Sequence, residues 1–259
     1  MPGHQETALL RMPDTPSSYD EIAGMYHALW ADWYFPAAGP ALEKLFFSQV
    51  PAGAAVLDVC CGSGHVTKEL VKRGYKVTGI DSSAALIAQA RKDLPEVDLR
   101  VQDARAIQLA TRYDAALSTF DSLNHVMCID ELRHVFERVH GVLAPDALFV
   151  FDMNVERAYL SDQRRWTVNV GDESVGLVRG TYYPAEKKAS TEIIWFVKAE
   201  ATNLWEQHRS VVEQRCYTRV EVVAALKDAG FHALEAISAE DVGVTADLGF
   251  GRIFFVARA

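Results

Sequence analysis

From residue 54 the chain alternates short apolar runs with amphipathic stretches of about ten residues or more, and this rhythm restricts the fold more than any other feature. AAVLDV reads as a buried strand, HVTKELVKRG as a helix ending at Gly74, and YKVTGID as a second strand. SAALIAQARKDL gives the next helix and VDLRVQD a third strand. YDAALSTFD is a fourth strand with its outgoing loop, DELRHVFERVHGVL a helix and ALFVFDMN a fifth strand. Strands joined by helical crossovers lie parallel, with helices on both faces of the sheet. TRVEVVAALKDAG is a further helix with Thr218 as N-cap and Gly230 near its end; FHALEAIS and GFGRIFFVARA then close the chain as two more strands. The expectation is a Rossmann-like α/β fold on a mostly parallel, seven-stranded sheet.

Two segments depart from the rhythm. Between residues 165 and 217 no helical period is visible; RWTVNV, SVGLVRGTYY, STEIIWFVK and EQHRSVVEQRCYT are β-branched and aromatic, with partial alternation. They predict an antiparallel β insertion. Ahead of the first strand, YDEIAGMYHALWADWY has apolar or aromatic residues at Ile22, Met25, Tyr26, Leu29, Trp30 and Trp33, which is helical spacing. Pro36 and Gly39-Pro40 predict a break, with ALEKLFFSQV resuming as a second helix. Residues 1–17, rich in Pro, Ser, Thr and Gly, read as loose chain.

Thirty-five acidic against twenty-six basic residues give a formal net charge of −9, which removes the long-range attraction a nucleic-acid or anionic-membrane binder needs. No apolar run reaches the roughly 18–20 residues that cross a bilayer, and MPGHQETALLRMPDTPSS lacks the apolar block of a secretory signal. A cytoplasmic location is expected. Cys60, Cys61, Cys128 and Cys216 show neither a CxxC nor a zinc-type spacing, and a disulfide framework does not suit a chain of this size and compartment.

The first strand-to-helix turn is LDVCCGSGHV, residues 57–66. Open parallel sheets take ligands outside the carboxyl ends of their strands, and Gly62 and Gly64 would let the backbone approach one there. Asp81, seventeen residues after Gly64, ends the second strand. A carboxylate at that point can accept from both ribose hydroxyls of an adenosine, and Ser82 or Ser83 can cap the following helix in its place. A dinucleotide fits less well. The third glycine of Gly-x-Gly-x-x-Gly is Thr67, and Asp58 brings negative charge where a pyrophosphate would be repelled. An adenosine with a cationic tail suits the turn.

Here the chain resembles the class I S-adenosylmethionine-dependent methyltransferases, closely over roughly residues 54–155. DVCCGSG is similar to that family's Asp-x-Gly-x-Gly-x-Gly motif, with Cys60 in place of the first glycine; IDSS resembles its second-strand acidic motif. VQDA, residues 101–104, resembles the third motif, which implies Asp103 against the adenine amino group and an Ala104 backbone N–H donor. The FDSLNH stretch, residues 120–125, resembles the fourth motif that lines the transfer site, together with Thr119 just before it. The resemblance implies S-adenosylmethionine as cofactor, held by Asp58, Cys60, Gly62, Gly64, Asp81, Ser82, Asp103, Ala104, Thr119, Phe120 and Asn124. It makes the N-terminal helices a lid, with Tyr19, Tyr26 and Trp33 closing over the methionine end. The domain reading is a flexible N-terminus (1–18), a helical lid (19–50), a cofactor-binding domain (51–164 and 218–259) and an inserted β subdomain (165–217).

Methyl transfer from a sulfonium is an in-line displacement, and the protein must hold the reacting atoms in line and exclude water. His125 has the unperturbed pKa for taking a proton near neutrality and is the candidate base; His208 would reach the site from the insertion. A metal-assisted variant would use Asp121, Asp152 and Asn154, but the aromatic lid fits a metal-independent enzyme better, and no metal is expected. The implied acceptor is a small-molecule amine. A small-molecule hydroxyl is the alternative acceptor, and a non-catalytic nucleoside-binding module or an NAD-dependent oxidoreductase are the rival classes. The insertion's strand edges would serve a homodimer contact.

Overall fold

The structure is a computed structural model that describes residues 17–161, 165–199 and 202–259. The expected strands form one seven-stranded sheet. β1 (Ala55–Val59), β2 (Lys76–Asp81), β3 (Asp98–Val101), β4 (Tyr113–Ser118) and β5 (Leu143–Asn154) run parallel. The order across the sheet is β10-β11-β5-β4-β1-β2-β3, where β10 is His232–Ser238 and β11 is Arg252–Arg258. β11 is antiparallel to both of its neighbours. Strand order reverses between β1 and β4, which opens a crevice at their carboxyl ends.

Helices cover both faces. The N-terminal helical region comprises α1 (Ala23–Met25), a π-helical turn, α2 (Ala31–Leu42) and a second π-helical turn. After β1 come α3 (His65–Lys72), α4 (Ala84–Asp93) and α5 (Ile129–Val142); α6 (Glu156–Ser161), α7 (Arg219–Asp228) and α8 (Ala246–Gly249) follow. Leu132, Phe136 and Val139 of α5 and Val222 and Leu226 of α7 pack with Phe149, Phe151 and Phe255 on one face. Tyr34, Ala38, Leu42 and Phe46 pack with Val56, Val150 and Phe254 on the other. Thr218 caps α7 as expected, in a capping box with Glu221. None of these helices is long and apolar enough to cross a membrane, among the described residues.

The β insertion is a separate four-stranded antiparallel sheet: β6 (Trp166–Val170), β7 (Ser174–Tyr183), β8 (Lys188–Lys198) and β9 (Trp205–Arg215). Its register puts Thr191 opposite Val212 and Ala189 opposite Gln214. The side chains of Thr191, Val212 and Gln214 therefore share the face turned to the crevice.

One expectation is corrected. Pro36 and Pro40 do not break the N-terminal helix, since α2 contains both. Each proline is exposed, so its ring disturbs no packing. The buried side, Tyr34, Ala38, Ala41 and Leu42, keeps the helix docked. The short helix α6 falls where the sequence reading assigns no element, six residues being too few to announce by periodicity; none of them is buried.

Candidate active site

A cavity of about 760 Å³ opens over the β1–β4 crevice, within the roughly 300–1,000 Å³ of small-molecule sites. Its floor is the glycine turn. Cys60 and Gly62 line it, both with positive φ (60° and 56°), and a Cβ at Gly62 would meet the Tyr26 ring at 3.4 Å. That distance is ordinary contact, so it is the positive φ that favours glycine here. Gly64, also at positive φ (84°), does not line the cavity; it begins α3 and lies against Ala90 and Leu94 of α4.

Asp81 lines the cavity, and each of its oxygens accepts one backbone N–H, from Ser83 (2.8 Å) and Gly62 (2.9 Å). A carboxylate has about four acceptor positions, so capacity remains for two hydroxyls. Burial raises its pKa, partly offset by the two N–H groups. Ser83, not Asp81, caps α4. Ser82 and Ala104 line the same end, as does Asp103, which is paired with Arg105 at 2.6 Å. Burial works against ionisation of Asp103, but the Arg105 guanidinium and backbone N–H outweigh it and hold the carboxyl below its usual range.

Asp58 sits beneath the turn, buried and outside the cavity lining. Its Oδ2 accepts from the Thr67 hydroxyl at 2.6 Å; its Oδ1 has no hydrogen-bond partner among the described residues. Burial pushes this carboxyl up to about 7 despite the Thr67 bond. A buried acid with an orphaned oxygen lacks a cation, and an adenosine ligand with a cationic tail supplies one. On this observation and the open Asp81 oxygens, the residues fit S-adenosylmethionine.

The opposite end is built around His125, which is brought to Tyr19 (Oη to Nε2, 2.9 Å), the Glu213 carbonyl (to Nδ1, 2.8 Å) and Gln214 (to Nε2, 3.2 Å). A carbonyl only accepts, so Nδ1 carries the hydrogen and Nε2 the lone pair. Burial lowers the His125 pKa, against the pull of Asp121 and the Glu213 carbonyl. Asp20 fastens the N-terminal segment to α4 by accepting from Ser83 Oγ (2.6 Å) and the Ala85 N–H (3.1 Å). Tyr19 and Tyr26, packed edge to face at 5.7 Å, thereby close one side. Trp33 falls in α2, but its side chain lies outside the described residues.

Four sequence expectations receive different surroundings. Asn124 does not reach the cavity. It is fully buried, donates to the Asn154 and Arg215 carbonyls and accepts the Asn154 N–H, so its amide is spent on tying three segments together. His208 lies on β9 against Trp195, away from the cavity. Asp121 and Asp152 are bridged by the buried Arg252 guanidinium, which reaches Asp121 at 2.7 Å and also pairs with Asp152. Thr119 is buried beneath the wall, and its carbonyl accepts from Ser122.

Phe120 lines the cavity at a left-handed φ of 63°, followed by Asp121 at 48°. Two consecutive non-glycine residues in that region are strained. Asp152 holds them by accepting both their N–H groups (2.8 and 3.1 Å) along with the Tyr34 hydroxyl (2.7 Å). Sequence reasoning missed Arg252, Gln214 and Asp20. The one available signal was an arginine inside the otherwise apolar strand RIFFVAR, where a buried charge must have a partner.

Residues 56–146 match a family model described as a methyltransferase domain. Over 93% of its length the chain is 28% identical to an inferred methyltransferase of Geobacillus sp. (strain WCH70), of which it covers 99%. It is 25% identical to the dTDP-4-amino-2,3,4,6-tetradeoxy-D-glucose N,N-dimethyltransferase of Saccharopolyspora spinosa, over 88% of this chain and 89% of that one. In fold it is similar to the sugar N-methyltransferase KedS8 from Streptoalloteichus sp ATCC 53650, with a TM-score of 0.76, 21% identity and 99% of each chain covered. Motif order and these relatives agree on an S-adenosylmethionine-dependent methyltransferase enzyme whose residues 56–146 are a methyltransferase domain, and the sheet order is the fold of the solved methyltransferases it resembles.

Proposed function

We propose that the enzyme methylates an amine of a small molecule, with His125 taking the proton the amine must lose. The observation that carries the reading is the half-buried His125 on the cavity wall, its Nδ1 committed to the Glu213 carbonyl and its Nε2 left as the acceptor beside Tyr19 and Gln214. An aliphatic amine is an ammonium at neutral pH and has no lone pair to attack with; a neutral imidazole beside it accepts that proton. Similarity to sugar N-methyltransferases supports the nitrogen acceptor.

S-adenosylmethionine supplies the activated methyl group. Asp81 and Ser82 hold its ribose, Asp103 and the Ala104 N–H its adenine, and Cys60 and Gly62 the methionine end, with Asp58 as the counter-charge beneath. Tyr19, Tyr26 and Phe120 exclude water around the transfer. Cys60 contributes backbone shape: burial pushes its thiol up, so it is no nucleophile. Gly64 and Thr119 act through the packing of this wall. The test is a panel of small amines and matched alcohols with labelled S-adenosylmethionine: methyl transfer to amines is expected, and transfer confined to alcohols overturns the reading.

The outward face of the insertion, with Val168, Val170, Leu177, Ile194, Phe196 and Trp205 half-buried or exposed, supports a homodimer. A lone antiparallel sheet exposes a polar face to water. Val170→Glu is expected to give monomers by light scattering where the wild type gives dimers.

A further inference from the structure

We propose that Gln214, on β9 of the inserted sheet, is a positioning residue that fixes His125 as the neutral tautomer with Nε2 unprotonated and facing the cavity. The proposal rests on the reading of His125 as proton acceptor. Gln214 Nε2 lies 2.6 Å from Asp121 Oδ2. A carboxylate only accepts, so the side of the amide facing it is the NH2 group. That group's second hydrogen faces His125 Nε2 at 3.2 Å, where only a lone pair can receive it. Arg252 holds the other oxygen of Asp121 at 2.7 Å, so the carboxylate that orients the amide is itself anchored.

The neighbouring residue completes the clamp. The Glu213 backbone carbonyl accepts from His125 Nδ1, while its carboxylate meets Lys188 at 3.1 Å, on the opposite side of the strand from Gln214. Two consecutive residues of one strand thus dictate both nitrogens of the imidazole, one through a side chain and one through the backbone. The other groups that face His125 are Tyr19 from the N-terminal segment and Asp121 from the loop after β4, with Arg252 behind it. Tyr19 meets the same Nε2 and is the group an incoming amine displaces. A donor aimed at Nε2 favours the uncharged ring, so removing it lets the ring take a proton at a higher pH.

The test is nitrogen NMR of the full chain with 15N-labelled histidine, the His125 signal being identified by its loss in His125→Gln, alongside pH profiles of kcat/KM. The wild type is expected to show the Nδ1–H tautomer. In Gln214→Leu the His125 titration and the acid limb of the profile are expected to move up together by about one pH unit. Gln214→Glu, which replaces the donor with an acceptor, moves them further and keeps the test alive if the leucine variant does not fold. An Nε2–H tautomer in the wild type, or an unmoved titration and profile in the folded variants, overturns the proposal. Full turnover in His125→Gln instead removes the base reading, and the tautomer signal then still decides what Gln214 does to the ring.

Discussion

The two ends of the cavity are made in different ways. At the nucleoside end, the glycine turn, Asp81 and Asp103 each sit at the carboxyl end of a parallel strand, in chain order; Asp81 accepts the Gly62 and Ser83 N–H groups, and Asp103 accepts that of Arg105. At the acceptor end, His125 is held by residues from the N-terminal segment and from β9, 106 and 88 positions away in the chain. The first end is shaped by the fold's own strand endings. The second is assembled from parts that the fold brings in, and its chemistry is free to vary without disturbing the first.

If the ends are separable, substitutions should divide between cofactor binding and turnover. The largest effect is expected for His125→Ala: kcat falls by about 10²–10⁴-fold, with the affinity for S-adenosylhomocysteine unchanged by calorimetry. An equal loss of cofactor affinity would show the ends to be coupled. Arg252→Met probes the seam between them. It leaves Asp121 and Asp152 buried without their cation, and is expected to cost about 3–5 kcal/mol in denaturant unfolding. Asp81→Ala should do the reverse of His125→Ala, weakening S-adenosylhomocysteine by about 1.5–3 kcal/mol while kcat at saturating cofactor stays near wild type.

The smallest effect is a pH dependence at Asp58. Its carboxyl is raised to about 7 in the folded chain and titrates near ~4 unfolded. A raised carboxyl binds its proton more tightly when folded, so its contribution to stability is complete below pH ~4 and is lost as pH rises towards 7. Asp58→Asn is expected to flatten that slope in thermal melts. Because a cationic ligand favours the ionised form, binding of S-adenosylmethionine near pH 6 to 7 should release up to about one proton. Calorimetry in buffers of different ionisation enthalpy reads this release, and Asp58→Asn should abolish it.

Legibility in the sequence followed the same division. The strands of the wound sheet, the cap at Thr218 and the acid at Asp81 were readable because each depends on neighbours within one βα unit. The α2 helix was misread at Pro36 and Pro40, because burial of one face outweighed two local breakers. His125 was legible as a histidine in the right loop, but its tautomer was not, since both determinants lie on another sheet. The resemblance of FDSLNH to the fourth motif implies Asn124 as a cofactor residue, but its amide is turned away from the cavity. Its real partners, the Asn154 and Arg215 backbones, are 30 and 91 residues away.

By itself the sequence determined the parallel sheet, the antiparallel insertion and the glycine turn with its strand-end acid, because strand period, glycine turns and caps act over a few residues. Only the tertiary structure decided that Arg252 bridges Asp121 and Asp152, that Asp20 fastens the N-terminal segment to α4, and that β9 clamps His125. Each of these is a polar contact between distant segments. Its partner is selected by which groups burial brings together and must satisfy, and no local pattern in the chain records that choice.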